Sequence, residues 1–134
     1  DAVFDWAVKQ PSANGRVATM GFCWGGGRSF EYAALRPGLR AAVVYYGTSP
    51  DSALLQRVTA PVLGLYGGDD ARVNATIEPA KKTLKARKRF YEANTFEGAG
   101  HGFLRQQSAR DGANLRASQQ AWPRTLAFLK KHLE

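Results

Sequence analysis

Three residues with reactive side chains each stand in a glycine-rich loop that directly follows a predicted β-strand. Cys23 lies in Gly-Phe-Cys-Trp-Gly-Gly-Gly, Asp70 in Gly-Gly-Asp-Asp-Ala-Arg-Val and His101 in Gly-Ala-Gly-His-Gly-Phe. A thiol, an imidazole and a carboxylate in contact can carry out nucleophilic catalysis, because the imidazole takes the thiol proton and the carboxylate orients the imidazole. We therefore predict that these three side chains meet and act together.

Cys23 has the sequence context of a nucleophile at a sharp turn between a strand and a helix. Gly21 and Gly25 flank it, and glycines at these two positions remove side chains that would clash when the nucleophile adopts a strained backbone. The turn also opens a helix, so we expect the Trp24 backbone N–H to hold a developing oxyanion. A single cysteine is more often a small buried side chain, but the glycine pattern favours a nucleophile.

The sequence offers two histidines and two candidate acids. His101 follows the last predicted strand, where the backbone can approach Cys23. In contrast, we expect His132, in the final helical turn, to be a surface residue that compensates the helix dipole. The chain order of nucleophile, acid and histidine is that of the α/β-hydrolases and favours a catalytic role for Asp70. Asp69 is a rival, since loop aspartates are commonly caps or turn formers.

The elements that must position these residues alternate between strand and helix. The second strand is apolar at nearly every position, as expected for a parallel strand covered on both faces. Asn74 is predicted to cap a helix, and Pro123 to bend or break the last one. The pattern predicts an α/β fold of about four mostly parallel strands with helices on both faces, whose site lies at the carboxyl ends of the strands. Predicted strands span residues 16–22, 39–46, 61–66 and 88–93, and predicted helices lie before residue 10 and at 28–35, within 48–58, at 74–87 and at 114–133.

Composition limits the class of protein. A chain of 134 residues is one domain's length, and we assign residues 1–134 to a single domain. The longest unbroken apolar run, residues 41–46, is far too short to cross a bilayer, and no basic-then-apolar leader opens the chain. The only cysteine excludes an intrachain disulfide. We expect a soluble, cytoplasmic protein without a membrane partner.

A formal net charge of +8 favours anionic ligands, so binding of nucleic acid or nucleotides has to be considered. Six cations lie close together, but such clusters are usually solvated helix faces, and we predict no nucleic-acid partner. The glycines fit neither phosphate-binding pattern, and the few His and Cys residues show no metal-ligand spacing, so we predict no metal and no cofactor. The clustered cations are Lys81, Lys82, Lys85, Arg87, Lys88 and Arg89.

These motifs, together with Tyr-Tyr-Gly at residues 45–47, resemble the dienelactone hydrolase family of α/β-hydrolases over almost the whole chain. The resemblance implies hydrolysis of small ester or lactone bonds through a thioester on Cys23, with Asp70 and His101 completing the triad and no cofactor.

The same resemblance implies residues that bind the substrate. Arg105, four residues after the histidine, matches an arginine that binds a substrate carboxylate, so the substrate is expected to be carboxylate-bearing. Tyr46 and Phe103 lie within the matching motifs and are expected to contact the substrate.

The chain departs from the family at its start, where relatives carry further strands, a second oxyanion donor, an acidic residue and another arginine. We therefore expect a truncated or minimal α/β-hydrolase whose bare sheet edge is covered in a homo-oligomer. Loss of one oxyanion donor costs about 10²–10³ in rate, so low activity is expected. The alternative is a catalytically weak or inactive scaffold or interaction module.

Overall fold

A four-stranded parallel sheet organises the computed structural model, which describes residues 1–134. The spatial order β1-β2-β3-β4 follows the chain, and each neighbouring pair is parallel. The predicted α/β fold with four parallel strands is therefore confirmed. The strands are β1 (Ala18–Phe22), β2 (Ala41–Tyr45), β3 (Val62–Gly67) and β4 (Tyr91–Phe96), and the helices are α1 (Ala2–Ala7), α2 (Trp24–Leu35), α3 (Ser52–Leu55), α4 (Ala71–Asn74), α5 (Ile77–Ala86) and α6 (Ala113–Leu133).

Two apolar clusters cover the two faces of the sheet. Successive side chains of a strand point to opposite faces, so Val44 of β2 joins the cluster with Phe30 of α2 and Leu84 of α5, whereas Tyr45 joins the cluster with Phe128 of α6. Every residue of β2 and β3 is buried. The helices therefore lie on both faces, as the apolar strands predict.

The two edges of the sheet are formed by β1 and β4. Strand β1 pairs with β2 on one side only. Its Met20 and Phe22 are 42% and 40% exposed, which contrasts with the complete burial of β2. The edge strand that leads into the Cys23 turn is therefore the one with apolar side chains open to solvent.

Helix α2 and strand β4 begin at different residues from those predicted. Helix α2 starts at Trp24 rather than at Arg28, because the triple glycine lets its first turn pack closely on the sheet. A Cβ at Gly26 would lie 2.6 Å from the Tyr45 carbonyl oxygen. Strand β4 starts at Tyr91, three residues late, since Lys88 adopts a left-handed conformation (φ 54°) where α5 ends.

Asn74 and Pro123 also behave differently from the prediction. Asn74 does not cap α5. It ends α4, and its Nδ2 donates to the carbonyl oxygens of Gly67 and Gly68 at 2.9 and 3.1 Å. Pro123 lies within α6 without breaking it, because both Pro123 and Gln119, the residue whose carbonyl loses its partner, face solvent.

None of the helices combines the length and the apolar character that crossing a membrane requires.

Candidate active site

Cys23 occupies a strained turn between β1 and α2. It stands at the N-cap of α2 with φ 55° and ψ −122°, its N–H donates to the Tyr45 carbonyl oxygen at 3.0 Å, and the residue is exposed. Such a conformation costs a non-glycine residue about 1–3 kcal/mol. A Cβ at Gly21 would lie 1.9 Å from the Gly25 carbonyl oxygen, so this position requires glycine. The turn therefore holds the thiol at the carboxyl end of the sheet.

Trp24 contributes its backbone to this site. As the first residue of α2, it has no acceptor for its N–H within the helix. Its indole is exposed, and the Arg28 guanidinium lies 5.4 Å from the centre of the ring. A free N–H beside the thiol, at the positive end of a helix dipole, is suited to stabilise negative charge.

Asp70 and His101 meet although 31 positions separate them along the chain. The Asp70 Oδ2 lies 2.6 Å from the His101 Nδ1, and the Asp70 side chain is 8% exposed against 39% for the imidazole. The rival acid, Asp69, instead pairs with Arg110 at 2.6 Å. Because Asp70 engages Nδ1, the Nε2 of His101 is the nitrogen left to face a reacting group.

Tyr46 lies beside His101 and also lines the cavity that Cys23 lines. The Tyr46 ring centre lies 5.3 Å from that of His101, and Tyr46 lines a cavity of about 360 Å³ together with Cys23. No hydrogen bond joins the Cys23 thiol to His101. The predicted contact of His101 with Asp70 is thus present, whereas a contact of His101 with Cys23 stays a prediction. The cavity is lined by Phe22, Cys23, Tyr46, Gly102, Leu104 and Arg105.

Tyr46 presents a protonated hydroxyl near the thiol. Burial, the nearby Cys23 side chain and Tyr45 raise the pKa of Tyr46 to about 12, and the charge of Arg105 offsets part of this rise. Tyr46 therefore keeps its proton at neutral pH and can donate a hydrogen bond to a substrate. Arg105 lines the same cavity and is itself exposed, which leaves its guanidinium available to a carboxylate.

Phe103 does not line this cavity, in contrast to the expectation that it contacts the substrate. Its side chain is fully buried and packs against the rings of Tyr46 and Phe96, with centres 5.2 and 5.5 Å apart. Burial of this large apolar ring in the core is more favourable than its exposure to solvent in the cavity wall. Phe103 therefore packs against the Tyr46 ring within the core and helps to hold that ring in place.

His132 lies away from the site and differs from the prediction for it. Its ring packs against Phe128, with centres 4.6 Å apart. Burial, followed by the charges of Lys131 and Arg40, lowers the pKa of His132. The ring packing and the lowered pKa both disfavour the protonated form, which does not fit the expected surface residue that compensates the helix dipole. Nowhere in the chain do three or more His, Cys, Asp or Glu side chains form a group that could hold a metal ion.

Two residues of the site carry no signal in the sequence. The side-chain oxygen of Asn114, at the start of α6, accepts the Gly100 N–H at 2.9 Å, and the side chain of Arg110 lies against Gly100. Both contacts join segments more than nine residues apart, so periodicity and local motifs do not reveal them. They fix the backbone immediately before His101.

A family model described as the dienelactone hydrolase family matches residues 1–133. The chain belongs to the dienelactone hydrolase family. This agrees with the α/β-hydrolase arrangement of the sheet and with the strained Cys23 turn.

Several named proteins are similar to this chain over part of their own length. A Salmonella typhimurium protein named as a carboxymethylenebutenolidase is 33% identical over 98% of this chain and 52% of its own. A Bradyrhizobium protein named as a 2-oxo-3-(5-oxofuran-2-ylidene)propanoate lactonase is 32% identical over 88% of this chain and 51% of its own. The crystal structure of a dienelactone hydrolase from Klebsiella pneumoniae matches with a TM-score of 0.81 and 32% identity, covering 96% of this chain and 57% of the other. The chain thus spans about half the length of these relatives.

Proposed function

We propose that this chain hydrolyses small ester or lactone bonds through a Cys23, His101 and Asp70 triad. The observation that carries the proposal is the 2.6 Å contact between His101 Nδ1 and the buried Asp70 carboxylate, next to the cavity that Cys23 lines. A buried acid bonded to Nδ1 fixes the tautomer in which Nε2 is free to accept a proton. Family membership supports hydrolysis as the reaction class.

The first half of the proposed reaction forms a thioester. The Cys23 sulfur bonds to the substrate carbonyl carbon while His101 Nε2 takes the thiol proton. The oxyanion formed accepts a hydrogen bond from the Trp24 N–H. The carbonyl re-forms as the ester C–O bond breaks, and His101 returns the proton to the leaving oxygen. In a lactone the leaving oxygen stays attached to the acyl group.

The second half releases the acid. His101 Nε2 takes a proton from water, the resulting hydroxide attacks the thioester carbon, and the C–S bond breaks as the sulfur recovers the proton. The products are a carboxylic acid and the alcohol, or a hydroxy acid from a lactone, and no electron donor or acceptor is needed. Throughout the cycle the Asp70 carboxylate stabilises the protonated imidazole.

The substrate class proposed is a small ester or lactone that carries a carboxylate. Arg105 places a cation in the cavity, and the net charge of +8 attracts anions over a longer range. The lactonase and butenolidase names of the relatives point in the same direction. Tyr46 lines the same cavity, and its hydroxyl would provide a hydrogen-bond donor. Phe22 and Leu104 provide the apolar walls.

The test uses the fact that Cys23 is the only cysteine. The folded protein is incubated with p-nitrophenyl acetate, and both p-nitrophenol release and acylation of the protein are followed, the latter by mass spectrometry. We expect turnover, one acyl group on Cys23, and loss of both in Cys23→Ala. Turnover that survives in Cys23→Ala would contradict the proposal. A folded wild-type protein that neither turns over nor acylates would favour the inactive scaffold instead.

We further propose that a second copy of the chain covers the open edge of β1. Support comes from the one-sided pairing of β1 and from its exposed Met20 and Phe22, because bare edges with apolar side chains favour pairing. Light scattering is expected to give about twice the chain mass of 14.6 kDa. A monomer at every concentration would refute this arrangement.

A cytoplasmic location is also part of the proposal. It is supported by a free, exposed thiol at the proposed nucleophile, which reducing compartments keep available. Fractionation of cells that express the protein tests it.

A further inference from the structure

We propose that Arg110 is a positioning residue for catalysis, acting through an ion pair with Asp69. Asp69 belongs to a segment that we name the aspartate loop (residues 68–70), and the Arg110 side chain also lies against Gly100 in a segment that we name the histidine loop (residues 97–106). This inference rests on the proposed function, in which Asp70 orients His101. The proposed role needs no external ligand. Arg110, at the surface, keeps the Asp70 and His101 side chains correctly placed relative to each other.

The Arg110 side chain touches both loops. Its Nη1 lies 2.6 Å from the Asp69 Oδ2, and Asp69 is the residue before Asp70. Its guanidinium group also lies over Gly100, where a Cβ would lie 2.3 Å from the Arg110 Nε. Gly100 is the residue before His101. A single side chain thus contacts the immediate neighbour of each partner in the 2.6 Å Asp70–His101 bond.

Backbone contacts hold the same loops from the buried side. The Asp69 N–H donates to the Ala99 carbonyl oxygen at 3.0 Å, and the Gly100 N–H donates to Asn114 Oδ1 at 2.9 Å. Asn114 is almost completely buried, and its Nδ2 donates to the Gln106 carbonyl oxygen at 2.7 Å. These contacts anchor the base of the histidine loop. Arg110 adds a contact on the solvent-exposed side, where the His101 side chain is also exposed.

The backbone around Arg110 is shaped for this contact. Arg110, Asp111 and Gly112 have φ values of 59°, 47° and 80°, so two residues with a Cβ stand in the left-handed region next to a glycine. L residues adopt that region only at an energetic cost. These consecutive left-handed residues stand directly before α6, for which Gly112 is the N-cap.

The expected consequence of losing the pair is local. Both side chains are about half exposed, and exposed ion pairs contribute little to global stability. Displacement of a catalytic group by about 1 Å lowers the reaction rate by up to roughly 100-fold. We therefore expect Arg110→Gln and Asp69→Asn each to lower kcat about 10-fold to 100-fold, with KM and Tm close to wild type.

The experiment compares these two variants, their double variant and Arg110→Lys with a matched control. Lys81→Gln is the control, because it removes one cation and one exposed ion pair, to Glu78, within α5 and outside both loops. Ester hydrolysis gives kcat and KM. Nitrogen-15 NMR of the imidazoles reports the fraction of His101 in the Nδ1–H tautomer, with His132 as the internal reference.

We expect a mixed His101 tautomer in Arg110→Gln and Asp69→Asn, an unchanged His132, partial recovery in Arg110→Lys, and a double variant no worse than the poorer single one. Wild-type kcat and tautomer in both single variants would overturn the inference. Equal losses in Lys81→Gln would do the same. The NMR measurement does not depend on turnover. A wild-type protein that hydrolyses no ester would therefore refute the proposed function, whereas the His101 tautomer would still test whether Arg110 positions the two loops.

Discussion

The two ends of the sheet each carry a histidine, and the surroundings of the two histidines differ. At the carboxyl end, His101 is exposed but bonded to a buried carboxylate. At the amino end, where Arg40 and Phe90 precede β2 and β4, His132 packs on aromatic rings beside cations. The two histidines differ most clearly in the partner of a ring nitrogen. His101 Nδ1 contacts the Asp70 carboxylate, whereas His132 Nε2 is buried without a hydrogen-bond partner.

The largest effect is expected from removing the acid at the carboxyl end. Asp70→Asn keeps the shape but favours the wrong His101 tautomer, so kcat should fall by about 10³–10⁴. The matched change at the amino end, His132→Gln, should leave kcat within a factor of two. Steady-state ester hydrolysis by both variants measures the difference. Comparable losses in the two variants would remove the distinction between the ends.

Glycine substitutions test how rigidly the carboxyl end holds its nucleophile. Gly21→Ala places a Cβ 1.9 Å from a backbone oxygen and should destabilise the fold by about 3 kcal/mol or abolish folding. In contrast to the expectation that a side chain at Gly25 would clash, a Cβ there meets nothing within 4 Å. Gly25 lies inside α2, so Gly25→Ala should be neutral or stabilise the fold by about 0.5–1 kcal/mol. Urea unfolding followed by circular dichroism compares them. Similar stability of both variants would show that the turn relaxes.

Cationic side chains at the carboxyl and amino ends of the sheet should differ in their effect on substrate binding. Arg105→Gln is expected to raise KM about 10-fold for a carboxylate-bearing ester, the loss of one charge-assisted hydrogen bond, and to leave KM for an uncharged ester nearly unchanged. Lys131→Gln removes the same charge at the amino end and serves as the control. An equal rise for both esters, or for both variants, would contradict a specific role for Arg105.

The smallest effect concerns stability at acid pH. The lowered pKa of His132 means that the unfolded chain binds more protons than the folded one as pH falls through the histidine range, so His132 makes folding less stable on acidification. His132→Phe removes this titrating group. Its Tm should fall less than that of the wild type between pH 7 and pH 5, in scans at constant ionic strength. Parallel Tm curves would show that His132 titrates alike in both states.

Much of the fold follows from local pattern. The unbroken apolar run that became β2 predicts burial on both faces, and the glycines around Cys23 predict a strand-to-helix turn there. The predicted contact between Asp70 and His101 is also present, since parallel strands bring the loops that follow them to one edge of the sheet.

The remaining features depend on tertiary contacts that a local pattern does not contain. The start of α2 at Trp24 depends on the space that Gly26 leaves beneath the Tyr45 carbonyl. Burial of Phe103 depends on the rings that converge on it from β2 and β4. The packing of His132 depends on Phe128, one helical turn before it, and on Phe90 from another element.

The absence of space for a Cβ at the Cys23 turn has a consequence for engineering. Gly21, Gly26 and Gly47 are each closed to any larger residue by backbone atoms within 2.6 Å. Variation that retunes selectivity must therefore enter through the cavity wall, where Leu104 and Arg105 belong to a loop rather than to the packed turn. Libraries built on those two positions should yield far more folded clones than libraries built on the glycines.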